Sequence, residues 1–198
     1  METDLELLNV ARTMNKEALV KIFDLYASPL YRYVLRLCGD PMLADQVVGD
    51  VFAKLLDQLS AGNGPQAHLR PYLYEMAYHR MIDETRYSKR QAPFEAAEWL
   101  GQFADPESLS LELRLLFKQI LVLIQHDLTS DQQHVITLRF FEEFSLRETA
   151  ELIGKKESHV KVIQNRAIAK LRKALEHSEA RTVMLSPAVG NQSRPLGV

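Results

Sequence analysis

The chain has 198 residues, 46% of them hydrophobic and 25% charged, with 24 Lys+Arg against 26 Asp+Glu for a formal net charge of -2. This composition excludes a disordered acidic or basic tail protein and supplies core enough for one or two modest domains. The near-neutral total gives no general attraction to nucleic acid, yet local basic faces can be balanced by acids elsewhere.

The single cysteine, Cys38, excludes an internal disulfide framework and a Cys-based zinc site, and suits a reducing interior. No stretch approaches the ~20 apolar residues of a membrane span. The opening METDLELLNVAR is acidic and lacks the pattern of a secretory leader. A cytoplasmic, soluble protein without membrane insertion is expected.

From Glu17 to Cys38 the apolar residues Leu19, Ile22, Phe23, Tyr26, Leu30, Val34 and Leu37 recur every three or four positions, which predicts an amphipathic helix. Gly39-Asp40-Pro41 ends it. A second helix follows, with Val47, Val48, Val51, Phe52, Leu55 and Leu59 on one side and Asp45, Asp50, Lys54 and Asp57 on the other. Residues 60–66, SAGNGPQ, form a loop, and Pro71 suits the first turn of a third helix running to Ile82. Residues 91–108 carry Pro93, Gly101, Pro106 and several acids without a period, and are expected to be a flexible linker. A helix restarts near Ser110 and ends near Leu128. Thr129 or Ser130 then caps Gln132 to Phe141, and Ser145 with Glu148 forms a capping box before Leu152. The last helix spans Glu157 to about Leu175, and residues 178–198 read as a mobile tail. The fold class is all-α, with two small helical domains.

Residues 145 to 175 have the layout of a helix-turn-helix, with Gly154 free to take the positive φ that ends the first helix. Stepping 100° per residue from Val160 puts Ile163, Ala167 and Leu171 on one side, facing the first helix, with Gln164 also inward. Ser158, Lys161, Val162, Asn165 and Arg166 face outward, with His159 at the edge. Lys161, Asn165 and Arg166 suit base edges or phosphates, and Val162 suits a thymine methyl. Arg147, Lys155, Lys156, Lys161, Arg166, Lys170, Arg172 and Lys173 against Glu148, Glu151 and Glu157 leave +5 on this segment. Residues 94 to 114 hold five acids against Arg114 and leave -4. The neutral total therefore conceals a basic face.

SLRETAELIGKKESHVKVIQNRAIAKLRKAL resembles the promoter-distal DNA-binding region of extracytoplasmic-function, or group 4, RNA polymerase sigma factors of the sigma-70 family. ALVKIFDLYASPLYRYVLRLCGDPMLADQVVGDVFAKLL is similar to their regions 2.1 and 2.2, and RPYLYEMAYHRMIDETR to regions 2.3 and 2.4. The resemblance implies a region 2-like domain over 1–90, a linker over 91–108, a region 4-like helix-turn-helix domain over 109–177 and a tail over 178–198. It implies a promoter-specificity subunit that binds core polymerase, the duplex -35 element and the melted -10 element. It further implies -35 contacts from Arg147, Lys155, Lys156, Ser158, His159, Lys161, Val162, Asn165, Arg166 and Lys170. The -10 element would fall to His68, Arg70, Tyr72, His79, Arg80, Arg86, Lys89 and Arg90, and core docking to Asp45, Val48, Asp50, Phe52 and Leu55. Tyr72 stands where the family commonly has tryptophan and is equally readable as core. His79 stands where asparagine is usual, and Glu75 where a basic residue is frequent. An anti-sigma partner belongs to the same implied set.

The six histidines form no clustered ligand set, and no phosphate-cradling glycine loop occurs. No catalytic residue, metal, cofactor or small-molecule substrate is expected. Two other readings are open at this stage: a conventional helix-turn-helix regulator that binds duplex DNA without polymerase, and an adaptor whose last domain no longer binds DNA.

Overall fold

The computed structural model describes residues 4–87 and 110–185, with side chains described over 4–84 and 110–177. The expected linker, 91–108, lies outside the described residues.

An unforeseen short helix, α1 (Asp4–Ala11), opens the chain and buries Leu7, Leu8 and Ala11. Its eight residues are too few to display a helical period in the sequence. Helix α2 (Lys16–Cys38) is capped by Asn15, whose side chain accepts from the Ala18 amide at 3.0 Å, and stops at Gly39. Asp40 caps α3 (Pro41–Ser60) by accepting from the amides of Met42 and Leu43, and Pro41 occupies the first turn where its missing N–H costs nothing. Helix α4 (Leu69–Tyr87) completes the first domain. Ile22, Leu30 and Val34 of α2 meet Val47, Val51, Leu55 and Leu59 of α3 and Leu73 and Ala77 of α4 in one buried cluster.

The second domain begins with α5 (Leu111–Asp127), capped by Ser110. Thr129 forms a capping box with Gln132 at the start of α6 (Ser130–Ile136), which passes into a π-helical turn, Thr137–Phe141. Ser145 and Glu148 make the expected capping box on α7 (Leu146–Leu152). Helix α8 (Glu157–Leu185) runs past residue 178, where a tail was expected. Residues 178–185, SEARTVML, hold neither proline nor glycine, so nothing local stops the helix before Pro187.

Helices α6, α7 and α8 enclose Val135, Ala150, Val160 and Ile163, while α5 and α8 enclose Ile124 and Ala167. The apolar interior also crosses between domains: Leu121, Leu138, Phe144 and Leu152 join the same cluster as the α2–α4 core. The two halves are thus packed against each other through α2 and α4.

Candidate nucleic-acid interface

Helices α7 and α8 meet at a turn in which Gly154 has φ +64, the left-handed geometry that a Cβ disfavours. The expected inward stripe is buried, with Val160 and Ala167 at 0% exposure and Ile163 at 8%. Gln164 also turns inward, its Oε1 accepting from Arg139 Nε at 3.2 Å. Ser158, His159, Lys161, Val162, Asn165 and Arg166 are all exposed on one face. Lys155 pairs with Asp131 at 3.2 Å, Lys170 donates to the Asp127 carbonyl, and Arg147 pairs with Glu151 at 3.0 Å. Arg147 and Lys170 are exposed and Lys155 is partly buried, and contacts of this kind at a surface are weak and replaceable. The turn forms a shallow concavity whose lining includes Arg147, Lys155, Lys156 and Ser158. A convex basic helix beside a basic turn is the shape that a major groove and its flanking phosphates accept.

In the first domain a cleft between α3 and α4 is lined by Asp50, Lys54, Gln58, Tyr72, Glu75, Met76, His79, Arg80 and Asp83. Tyr72 is neither fully core nor free: it is half-buried and its hydroxyl donates to Gln58 Oε1. His79 is exposed on the rim, 3.9 Å from Glu75. Arg80 bridges Asp50 at 2.7 Å and Glu84 at 2.6 Å. His68 is exposed at the end of the 61–68 loop with φ 56. Arg86 lies on α4 with its side chain outside the described residues, and Lys89 and Arg90 lie wholly outside them.

Arg70 departs from expectation. Instead of facing the cleft, it donates to the Glu142 carbonyl of the second domain and lies 4.2 Å over the Phe144 ring and 5.5 Å over that of Tyr74. Buried aromatic faces and a backbone carbonyl hold a guanidinium better than a solvated surface does. In this arrangement Arg70 is not available to a promoter strand.

The expected docking set on α3 also needs correction. Val48, Phe52 and Leu55 are 8%, 8% and 1% exposed, so in this arrangement they face the core. Their spacing of three and four is the spacing of the inward stripe. Asp45 is exposed, and Asp50 is half-exposed and engaged by Arg80. Exposed apolar groups nearby include Met42 at 83%, Phe23 at 50%, whose ring lies tilted against that of Phe52 at 4.9 Å, and Leu56 at 41%.

Family models agree with both halves. "Sigma-70 region 2" matches residues 22–91 and "Sigma-70, region 4" matches residues 126–173. The chain belongs to the sigma-70 family, among its extracytoplasmic-function sigma factors. Two curated relatives are the ECF RNA polymerase sigma factor BldN of Streptomyces coelicolor and the ECF RNA polymerase sigma factor SigX of Bacillus subtilis. They are 26% and 27% identical over 86% and 81% of this chain, which covers 65% and 85% of their own lengths. Among solved structures, CnrH in complex with the cytosolic domain of CnrY aligns over 88% of this chain and 97% of its own, with TM-score 0.65 and 22% identity. The sigma factor RpoE in complex with the anti-sigma factor NepR from Bartonella quintana aligns over 79% and 96%, with TM-score 0.59 and 20% identity. These two likenesses concern the fold.

The seam of this sigma factor is a polar network set in apolar surroundings. Glu142, 6% exposed, follows the π-helical turn and is held from the first domain at both carboxylate oxygens. Arg36 Nη1 donates to Oε1 at 2.5 Å and the Tyr74 hydroxyl to Oε2 at 2.5 Å. Burial lowers the Arg36 pKa, and Glu142 opposes that shift; burial and the neighbouring carboxylate both raise Tyr74. Close by, the Tyr33 hydroxyl and His134 Nε2 share a hydrogen bond of 2.7 Å, and the His134 ring stacks on Tyr78 at 3.7 Å. Burial pushes the His134 pKa down to about 3, so the imidazole is neutral there. No sequence motif marks this network, because its partners lie 56 to 106 residues apart.

Proposed function

We propose that this chain confers promoter specificity on bacterial RNA polymerase in the cytoplasm, with α8 reading the duplex -35 element and the α3–α4 face with the 61–68 loop capturing the melted -10 strand. The observation that carries the reading is the exposed Lys161, Asn165 and Arg166 face on a sound helix-turn-helix, in the same chain as a region 2 domain. The chain supplies binding and strand capture, and the polymerase core supplies the chemistry. Core docking falls to Asp45 with its exposed neighbours, not to the buried residues of α3. Both solved likenesses are complexes with a second protein, in one case the anti-sigma factor NepR, which supports an anti-sigma partner for this chain as well.

Distance adds a requirement. Elements centred 35 and 10 base pairs upstream of a start site lie about 25 base pairs apart, or about 85 Å of duplex at about 3.4 Å per step. A compact 198-residue chain has a radius of gyration of about 16 Å, hence a diameter near ~40 Å. Bridging both elements therefore requires the Glu142 seam to part, freeing Arg70 as it does so. Binding to core polymerase is the natural source of that free energy, and the tethered domains then act at high effective concentration. Footprinting of reconstituted holoenzyme tests the reading: joint protection of both elements is expected, and protection of a single duplex site by the protein alone would oppose it.

A further inference from the structure

Helix α1 precedes the stretch matched by the region 2 model, which begins at residue 22. It is nonetheless tied down at both ends. Near its start Asp4 Oδ2 accepts from the Tyr26 hydroxyl at 2.6 Å, and Leu7, Leu8 and Ala11 are buried beneath it. Just past its end, Arg12 reaches across to the loop before α4. Arg12 Nη1 donates to Gln66 Oε1 at 2.9 Å, and Nη2 donates to the Gly64 carbonyl at 3.4 Å and to the Pro65 carbonyl. One guanidinium thus holds three consecutive residues, using the planar fork that only arginine offers.

The loop has little freedom elsewhere. Gly64 lies so close to α3 that a Cβ there would sit 2.6 Å from Leu59 Cδ2. At the far end His68 is held at φ 56, a conformation unusual for a residue with a side chain. With its back fastened, the loop leaves Asn63, Gln66 and His68 exposed. The polarity of Gln66 is also set: a guanidinium only donates, so the amide must turn its oxygen to Arg12 and leave its NH2 donors on the other side.

We infer that Arg12 is a positioning residue for promoter reading, which fastens the 61–68 loop and orients Gln66 to offer amide donors to an unpaired base bearing a hydrogen-bond acceptor. This rests on the proposal that the loop captures the melted -10 strand. Single-strand recognition works through base edges splayed from the stack, where one oriented amide favours acceptor-bearing edges over donor-bearing ones.

The test uses the full chain reconstituted with core RNA polymerase and fork-junction promoter DNA carrying each of the four bases at each unpaired -10 position, read by fluorescence anisotropy. Arg12→Met keeps the apolar stem and removes the donors. It should reduce base discrimination at one position from about tenfold towards none, with -35 duplex affinity and melting temperature unchanged, and Arg12→Lys should retain part of it. Gln66→Glu, at an exposed position, should reverse the preference towards donor-bearing bases. A base panel unchanged in Arg12→Met or in Gln66→Glu overturns the inference, as does an equal loss of -10 and -35 binding with a lower melting temperature. Replacing Asn63, Gln66 and His68 together by alanine separates the two levels. Undiminished -10 binding in that variant overturns the loop assignment and the inference with it. Loss of -10 binding there, beside an unaffected Arg12→Met, overturns the role of Arg12 alone.

Discussion

Arg36 on α2 and Glu142 in the second domain stand 106 residues apart in sequence and 2.5 Å apart in the fold, with side chains 10% and 7% exposed. The same carboxylate accepts from Tyr74, and Arg36 also lies over the Phe141 ring at 4.8 Å. A buried ion pair of this kind is costly to break on one side, because the remaining charge stays buried without compensation. Glu142→Ala should therefore weaken docking of the two domains by about 3 to 5 kcal/mol. Small-angle scattering should show a larger radius of gyration for the variant than for the parent protein; an unchanged radius would contradict the seam's dependence on Glu142.

The seam should also respond to pH through His134. Its pKa is pushed from the ordinary 6.5 down to about 3 by burial, with Asp131 opposing and His79 assisting. The docked form therefore binds fewer protons than the parted form. Docking is at full strength above about pH 6.5 and weakens as pH falls towards 3, by about tenfold per pH unit. Fluorescence transfer between the domains, measured from pH 7.5 to 5.5, should fall in the parent protein. In His134→Phe, which keeps a ring against Tyr78, it should be flat over the same range.

On the reading helix, Arg166→Ala and Lys161→Ala should each weaken -35 binding by about 1 to 3 kcal/mol if they contact bases, whereas a phosphate-only contact reduces the salt slope by about one. Anisotropy with -35 duplexes at several salt concentrations checks this. Unchanged affinity and slope in both variants would remove this face from DNA recognition.

Docking on core polymerase should depend on surface charge and not on the buried side of α3. Asp45→Lys should reduce retention on a core-polymerase column while the melting temperature holds. Phe52→Ala should destabilise the first domain by about 3 to 5 kcal/mol, since it removes a packed aromatic, so that any loss of binding tracks unfolding. Retention of Asp45→Lys equal to the parent would exclude that carboxylate from the interface.

Much of this was legible because it is written in local spacing. The stripe of Val160, Ile163 and Ala167, the Ser145–Glu148 capping box and the positive φ of Gly154 all follow from neighbours within a turn or two. The burial of Val48, Phe52 and Leu55 is equally contained in the period of α3, because a family motif position carries no information about exposure. Arg70 was not legible. A basic residue beside the 61–68 loop has the same local pattern whether it faces DNA or the carbonyl of Glu142, 72 residues on. The α1 clamp escaped for the same reason, since Arg12 gains its meaning only from acceptors 52 to 54 residues later.

Gly154 gives a check on the helix-turn-helix itself. Nothing lies within 4 Å of a Cβ built there, so Gly154→Ala tests backbone geometry alone. It should lower the stability of the second domain by about 1 to 2 kcal/mol through its φ of +64, visible as a reduced midpoint in denaturant. A midpoint equal to the parent's would mean that the turn tolerates a side chain.

Under the proposed function, two domains of one chain direct polymerase to two promoter elements. Reconstituted transcription with core enzyme, on promoters found by sequencing transcripts after overproduction, tests it most directly. Initiation at defined start sites should require this chain and be lost when either the -35 or the -10 element is altered. Failure to initiate at any promoter, together with tight binding of a duplex operator by the protein alone, would contradict it.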